Sequence, residues 1–271
     1  MADPVAVLNR MAGCGRWRDL LLAGVPESAL RRAVESGAVV RHGSGVYALP
    51  GTSRQRIAVY RAAGVPACLN AAQDRGWWIL QPPTTPHIAV DHGRPVPEVV
   101  KHRSRLPLSA LDIVLQVLHC APELDALVVL CSAIRTKEVS IQEVAQRLCG
   151  QRSAKARSIL QRFDPHSESV LEVAARFQLE NAGFIVASQV YLPGLGRMDQ
   201  LIDGVLALEL MGKEFHLSAA AFEEDLRRFN QYTVSGVPVL RVGYAQVIYR
   251  PAEFIALVRQ ALATISATGS H

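Results

Sequence analysis

The sequence predicts an α/β protein, α+β overall, with helices and a hairpin at the front, a mostly helical middle and a run of strands at the back. Three observations predict it. Residues 5–36 and 108–162 place apolar side chains at helical spacing between start and stop signals. Residues 190–211 alternate in short apolar runs around two turns, Gly194-Leu195-Gly196 and Asp203-Gly204, the second a strong hairpin signal. With 271 residues, 49% of them hydrophobic, the chain can bury a sizeable core in two or three compact units.

From the N-terminus, Val5 to Met11 reads as a first helix and Arg16 to Ala23 as a second closed by Gly24. Pro26 opens a third that runs to Ser36 and stops at Gly37, because a proline in the first turn gives up an amide that would have no helical partner. Ala29, Leu30, Ala33 and Val34 make its apolar stripe; Glu27, Arg31, Arg32 and Glu35 point away. Val39 to Arg41, the turn His42-Gly43-Ser44-Gly45 and Val46 to Leu49 complete a hairpin. The order is helix, helix, helix, wing.

The run G-V-P-E-S-A-L-R-R-A-V-E-S-G-A-V-V-R-H-G-S-G-V-Y-A-L-P-G, Gly24 to Gly51, resembles the winged-helix start of the type IV abortive-infection antitoxin family, closely here and more weakly over the next hundred residues. The resemblance implies a DNA-binding domain over 1–53 whose third helix enters the major groove, with Arg31 and Arg32 as candidate contacts and Arg41, His42 and Ser44 on the wing. It also raises a cognate toxin protein as a partner. The alternative is a winged helix used for protein contacts, its arginines simply solvated.

Residues 54–165 form a middle segment. Pro66 to Trp78 reads as a helix, His87 to Val90 as a strand and Val99 to Arg105 as a basic strand. Leu108 to Cys120 and Glu123 to Arg135 read as packed helices, and Ser140 with Glu143 makes a capping box that opens another. Gln151 to Arg162 is a basic helix leading to Asp164-Pro165, the expected boundary. Trp77 and Trp78 suit packing against the wing better than stacking on bases.

Residues 1–165 carry 21 Lys/Arg against 13 Asp/Glu, whereas 166–271 carry 8 against 11. A basic front joined to an acidic back suits a protein that grips phosphates with one and collects metal with the other; an arginine-rich coding bias is the bland explanation. Cys14, Cys68, Cys120, Cys131 and Cys149 are odd in number, widely spaced and free of any CxxC pair, so neither a zinc site nor a disulfide framework is expected. A cytoplasmic location without membrane contact fits the cysteines, the absence of a long apolar run and the N-terminal composition.

At the back, Val190 to Tyr191, Met198 to Ile202 and Val205 to Met211 read as consecutive antiparallel strands, which sets Asp199 opposite Leu208 with Glu209 next door. Two carboxylates on rigid strands are what a hard cation such as Mg2+ or Mn2+ needs, waters and a phosphate completing its shell. Glu209 interrupts the apolar run Leu206 to Met211, so it needs a partner or a metal. Asp199 has the alternative of a solvated strand end. Ser169 and Glu172 form a capping box in which the glutamate returns to the N-cap amide, a reading as good as an active-site role.

From Ser167 to about Ala261 the order of motifs resembles the very-short-patch mismatch-repair endonucleases, within the PD-(D/E)xK restriction-endonuclease-like group. Ser-x-x-Glu opens a helix, an aspartate lies on the second strand, Glu-x-x-Gly precedes His216 on the third, Asp225-x-x-Arg228 lies on a helix, and Val239-Leu240-Arg241 follows. The resemblance implies a mixed four-stranded sheet flanked by helices over 166–263; beyond it Thr-Ile-Ser-Ala-Thr-Gly-Ser-His, 264–271, reads from its own residues as a flexible tail. The resemblance further implies Glu172, Asp199, Glu209, Lys213 and His216 as catalytic residues, His216 as general base and Lys213 steadying charge, Asp199 and Glu209 as metal ligands, and Asp225, Arg228 and Arg241 in support. Met211 stands where relatives carry a polar group, and a thioether is no ligand for magnesium. Two functions are therefore expected: a DNA-binding protein that hydrolyses phosphodiesters with Mg2+ or Mn2+, or a non-catalytic transcriptional regulator or antitoxin that uses a nuclease-like fold for binding.

Overall fold

The computed structural model describes residues 2–212 and 219–268. The chain folds as two compact units, Met1–Ala121 with Lys137–Ala156, and Pro122–Thr136 with Arg157–His271. In the first, α1 (Pro4–Arg10) is capped by the Asp3 carboxylate, which accepts from the Val5 and Ala6 amides. There follow β1 (Cys14–Arg16), α2 (Trp17–Leu22), α3 (Glu27–Glu35) and the hairpin β2 (Val40–His42) and β3 (Val46–Ala48), turned by Ser44 and Gly45 at φ of 65° and 69°. β3 lies between β1 and β2, antiparallel to both. β1 carries no periodicity of its own; it is a strand because β3 offers it an edge. Leu30 of α3 packs with Val7, Leu8, Leu20, Val25 and Val39, and this small core fixes the helix against the hairpin.

The unit continues through α4 (Arg54–Ala62), β4 (Val65–Pro66), α5 (Cys68–Asp74), β5 (His87–Val90), β6 (Val100–Arg103) and α6 (Ala110–Cys120). The second small sheet runs β4-β5-β6, with β4 antiparallel and β6 parallel to β5. The helix expected from Pro66 starts at Cys68, because Val65 and Pro66 pair with β5 instead. α7 (Glu123–Arg135) belongs to the second unit; α8 (Ile141–Arg147) opens on the expected Ser140–Glu143 box, and α9 (Ala154–Gln161) follows. Trp77 is buried and donates Nε1 to Glu138 at 2.6 Å, so its polar partner lies just before α8, not in the wing.

The second unit holds α10 (Val170–Asn181), β7 (Val186–Leu192), β8 (Gly196–Ile202), β9 (Leu206–Met211), α11 (Ala219–Ser235), β10 (Val239–Gly243), α12 (Tyr244–Tyr249) and α13 (Pro251–Thr268). Its four-stranded sheet runs β10-β9-β8-β7; the two hairpin pairs are antiparallel and β9 with β10 is parallel, so the sheet is mixed as expected. Asp203 and Gly204 both turn at positive φ, 50° and 73°. The register is one residue off the expectation, with Gln200 opposite Leu208. Val205 closes the turn by donating to the Ile202 carbonyl at 3.0 Å instead of starting the strand.

Ile202, Leu206, Leu208 and Val242 pack with Leu171, Ala174, Ala175 and Leu179 of α10, Val247 of α12 and Phe254 and Val258 of α13. A second cluster joins Leu195, Met198 and Ala207 to Tyr232 of α11. The flexible tail expected from residue 264 is helical to Thr268, because Leu262 and Ile265 still find the core.

Candidate functional site

Arg31 and Arg32 are exposed on α3, Arg41 is exposed on β2, His42 is half-buried and Ser44 is exposed in the turn. With Leu30 anchored, the two residues directly after it turn toward water, which is why two arginines sit there at no desolvation cost. Arg31 and Arg41 border one hollow of about 330 Å³ between α3 and the hairpin, lined also by Trp17, Glu27, Val34 and Tyr47. His42 faces a different hollow with Arg54 and Arg61, and Ser44 a third with Arg61 and Arg94. Arg61 and Arg94 carry no signal in the sequence, since each is an isolated arginine until the fold sets it near the wing.

In the second unit, Glu172 is the third residue of α10 and is buried. Its Oε1 accepts from the Ser169 hydroxyl at 2.8 Å, and its Oε2 accepts from the Glu168 amide at 2.8 Å and Gln189 Nε2 at 2.9 Å. The glutamate therefore returns to the amide one residue before the N-cap, a correction to the simple capping box. Gln200, fully buried on β8, donates to the Glu172 carbonyl at 2.8 Å and stitches α10 to the sheet.

Asp199 ends the β8–β9 ladder: its Oδ2 accepts the Leu210 amide at 2.8 Å, the amide that directly follows Glu209. Glu209 is buried, its Oε1 accepting from the Tyr232 hydroxyl at 2.6 Å and its Oε2 lying 3.9 Å from Arg241 Nε. Arg241 pairs in register with Glu209 across β9 and β10 and also donates from Nη2 to the Met211 sulfur at 3.3 Å. The fold thus brings Asp199, Glu209, Met211 and Arg241 to one end of adjoining strands. Lys213 and His216 lie outside the described residues, and so do the side chains of Asp225 and Arg228 on α11. The described donors do not fit magnesium: a guanidinium and a phenol already address Glu209, and a sulfur occupies the place of a third hard oxygen.

A cluster the sequence did not suggest lies in the first unit. Cys68, His87, His102 and Cys120 set one ligand-type atom each within 4.8 Å of all the others. Cysteine spacing named none of these four as a ligand set. The nearest two in sequence, His87 and His102, are 15 residues apart, so no short motif announces them.

Residues 16–50, from the end of β1 through α2, α3 and the hairpin, match the family model described as "Transcriptional regulator, AbiEi antitoxin". A comparison with curated proteins gives no match. No helix among the described residues is long and apolar enough to cross a membrane. The match falls on the stretch that carries Arg31, Arg32, Arg41, His42 and Ser44, and it supports a DNA-binding regulator.

Proposed function

We propose that this chain is a DNA-binding transcriptional regulator of the antitoxin kind, with duplex DNA as its first partner and a cognate toxin protein as its second. The observation that carries this reading is the pairing of Arg31 on α3 with Arg41 on β2 around one hollow, inside the matched residues. A helix in the major groove reads base edges, and a flanking hairpin that grips phosphate fixes its register. Arg31 and Arg32 take the first role and Arg41 the second, because guanidinium groups meet guanine edges and phosphate oxygens with two donors at once.

Nuclease activity is a second reading. The mixed sheet and the placement of Asp199 beside the Glu209–Leu210 peptide favour it; the partners of Glu209 disfavour it. The described residues do not make a magnesium site, so no hydrolytic step follows from them. The test is selection of duplexes from a random-sequence library by the full chain, with plasmid cleavage in Mg2+ and Mn2+ run alongside. An enriched motif that the double variant Arg31→Ala/Arg32→Ala no longer selects supports the regulator. Equal enrichment by wild type and variant, or none by either, overturns it.

A further inference from the structure

We propose that Cys68, His87, His102 and Cys120 hold a single tetrahedral zinc ion that ties together the middle of the first unit, a site beyond the regulator reading and independent of it. Two distances carry the geometry. His87 Nδ1 lies 3.3 Å from His102 Nε2, and Cys120 Sγ lies 3.7 Å from the same His87 Nδ1. With zinc–nitrogen bonds of about 2.0–2.1 Å and zinc–sulfur bonds of about 2.3 Å, the edges of a tetrahedron come to about 3.3 Å between nitrogens and about 3.6 Å between nitrogen and sulfur. The observed separations match both.

The fold explains how four distant residues meet. Parallel pairing sets His87 of β5 opposite Val100 of β6, so His102, two residues on, shares the face of His87, and the rings stack with centroids 5.6 Å apart. Cys68 is the first residue of α5 and Cys120 the last of α6. The Cys68 amide donates to Gln116 Oε1 at 3.0 Å, Gln116 Nε2 to Ser104 at 2.9 Å, and the His87 amide to Asn70 Oδ1 at 2.6 Å. Cys68 sits at a φ of 49°, an uncommon setting for any residue but glycine, and these bonds hold it there.

The bland alternative is a buried packing cluster with one hydrogen bond between imidazoles. It leaves His87 Nδ1 overcommitted, because one ring nitrogen offers a single proton or a single lone pair to both His102 and Cys120. A cation at the centre uses one lone pair from each of four ligands. Burial favours the neutral imidazole for both histidines, the form that binds metals. It raises the Cys68 thiol, helped by Cys120, and a bound divalent metal reverses that by taking the thiolate outright. Two thiolates and two imidazoles in a tetrahedron with no open position select zinc in a structural role.

The test is elemental analysis of the full chain purified under reducing conditions without immobilised-metal chromatography. Roughly one zinc per chain is expected, lost in Cys120→Ser and retained in Cys149→Ser, whose thiol is exposed and outside the cluster. Should Cys120→Ser fail to fold, cobalt-substituted wild type gives a second reading: strong visible bands and thiolate charge-transfer absorption of a tetrahedral centre. Negligible zinc in wild type, iron in its place, a Cys68–Cys120 disulfide in reductant, or a cobalt spectrum without thiolate absorption would each overturn the proposal.

Discussion

Arg241 stands beside Glu209 because β9 and β10 pair in parallel, and its Nε lies 3.9 Å from Glu209 Oε2. A carboxylate set in an apolar strand thereby finds its countercharge on the neighbouring strand and a hydroxyl, Tyr232, on the helix that precedes that strand. Tyr232→Phe is expected to destabilise the second unit by about 1.5–3 kcal/mol, the range for a hydrogen bond to a charged group. Urea unfolding checks it; a loss under about 0.5 kcal/mol would mean that the hydroxyl does not hold the carboxylate.

Asp199 acts as a strand acceptor beyond the last ladder pair, taking the Leu210 amide at 2.8 Å. Asp199→Asn keeps an oxygen there and is expected to change stability little, whereas Asp199→Ala orphans the amide at a cost of about 1–3 kcal/mol. Calorimetric titration with Mn2+ is expected to give the same heats for wild type and Asp199→Ala. Binding present in wild type and absent in the variant would return these acids to a metal.

What was legible in the sequence is what neighbours in the chain decide. Helix α3 and its hairpin follow from Pro26, Gly37 and the Ser44-Gly45 turn, each acting within a few residues. The β8–β9 hairpin was legible from Asp203-Gly204, yet its register was not, since whether Val205 closes the turn or opens the strand depends on packing at both ends. The partners of Glu209 lie 23 and more residues away, so the sequence could say that it needs one and not which. The Cys68–His87–His102–Cys120 cluster needs a parallel strand pair and two helix ends before all four members meet, and no local pattern encodes that.

Duplex binding by the full chain is expected to weaken as salt rises, because arginines displace condensed counterions from phosphate. Arg41→Ala should weaken binding uniformly across sequences and reduce the slope of log affinity against log salt by about 0.9 for each phosphate that Arg41 neutralises. Arg31→Ala should instead cost about 1–3 kcal/mol on a selected duplex and less on an unrelated one. Fluorescence anisotropy on both duplexes separates the two roles; identical behaviour of the two variants would undo the assignment of wing to phosphate and helix to base.

Asp164 links the stability of the second unit to pH. Burial pushes its carboxyl upward, but the neighbouring Ser188 hydroxyl, the His166 amide at 3.0 Å, the Arg176 guanidinium at 2.9 Å and the Ser167 hydroxyl at 3.3 Å together outweigh burial and leave it below the ordinary value of 3.8. A carboxyl depressed in the folded state stabilises fully above its unfolded value and loses that contribution as pH falls through its folded value, because the unfolded chain then binds the proton first. Asp164→Asn keeps acceptors for the hydroxyl and amide but has no proton to take up and no charge for Arg176. Wild type should therefore exceed the variant by a constant margin above about pH 5, and that margin should shrink as pH drops below 3.8. Urea midpoints measured from pH 7 down to the acid limit of the fold decide it. A margin that stays constant through the acid range would mean that Asp164 binds its proton equally in both states, and that Arg176 and the surrounding donors contribute no pH-linked stability through it.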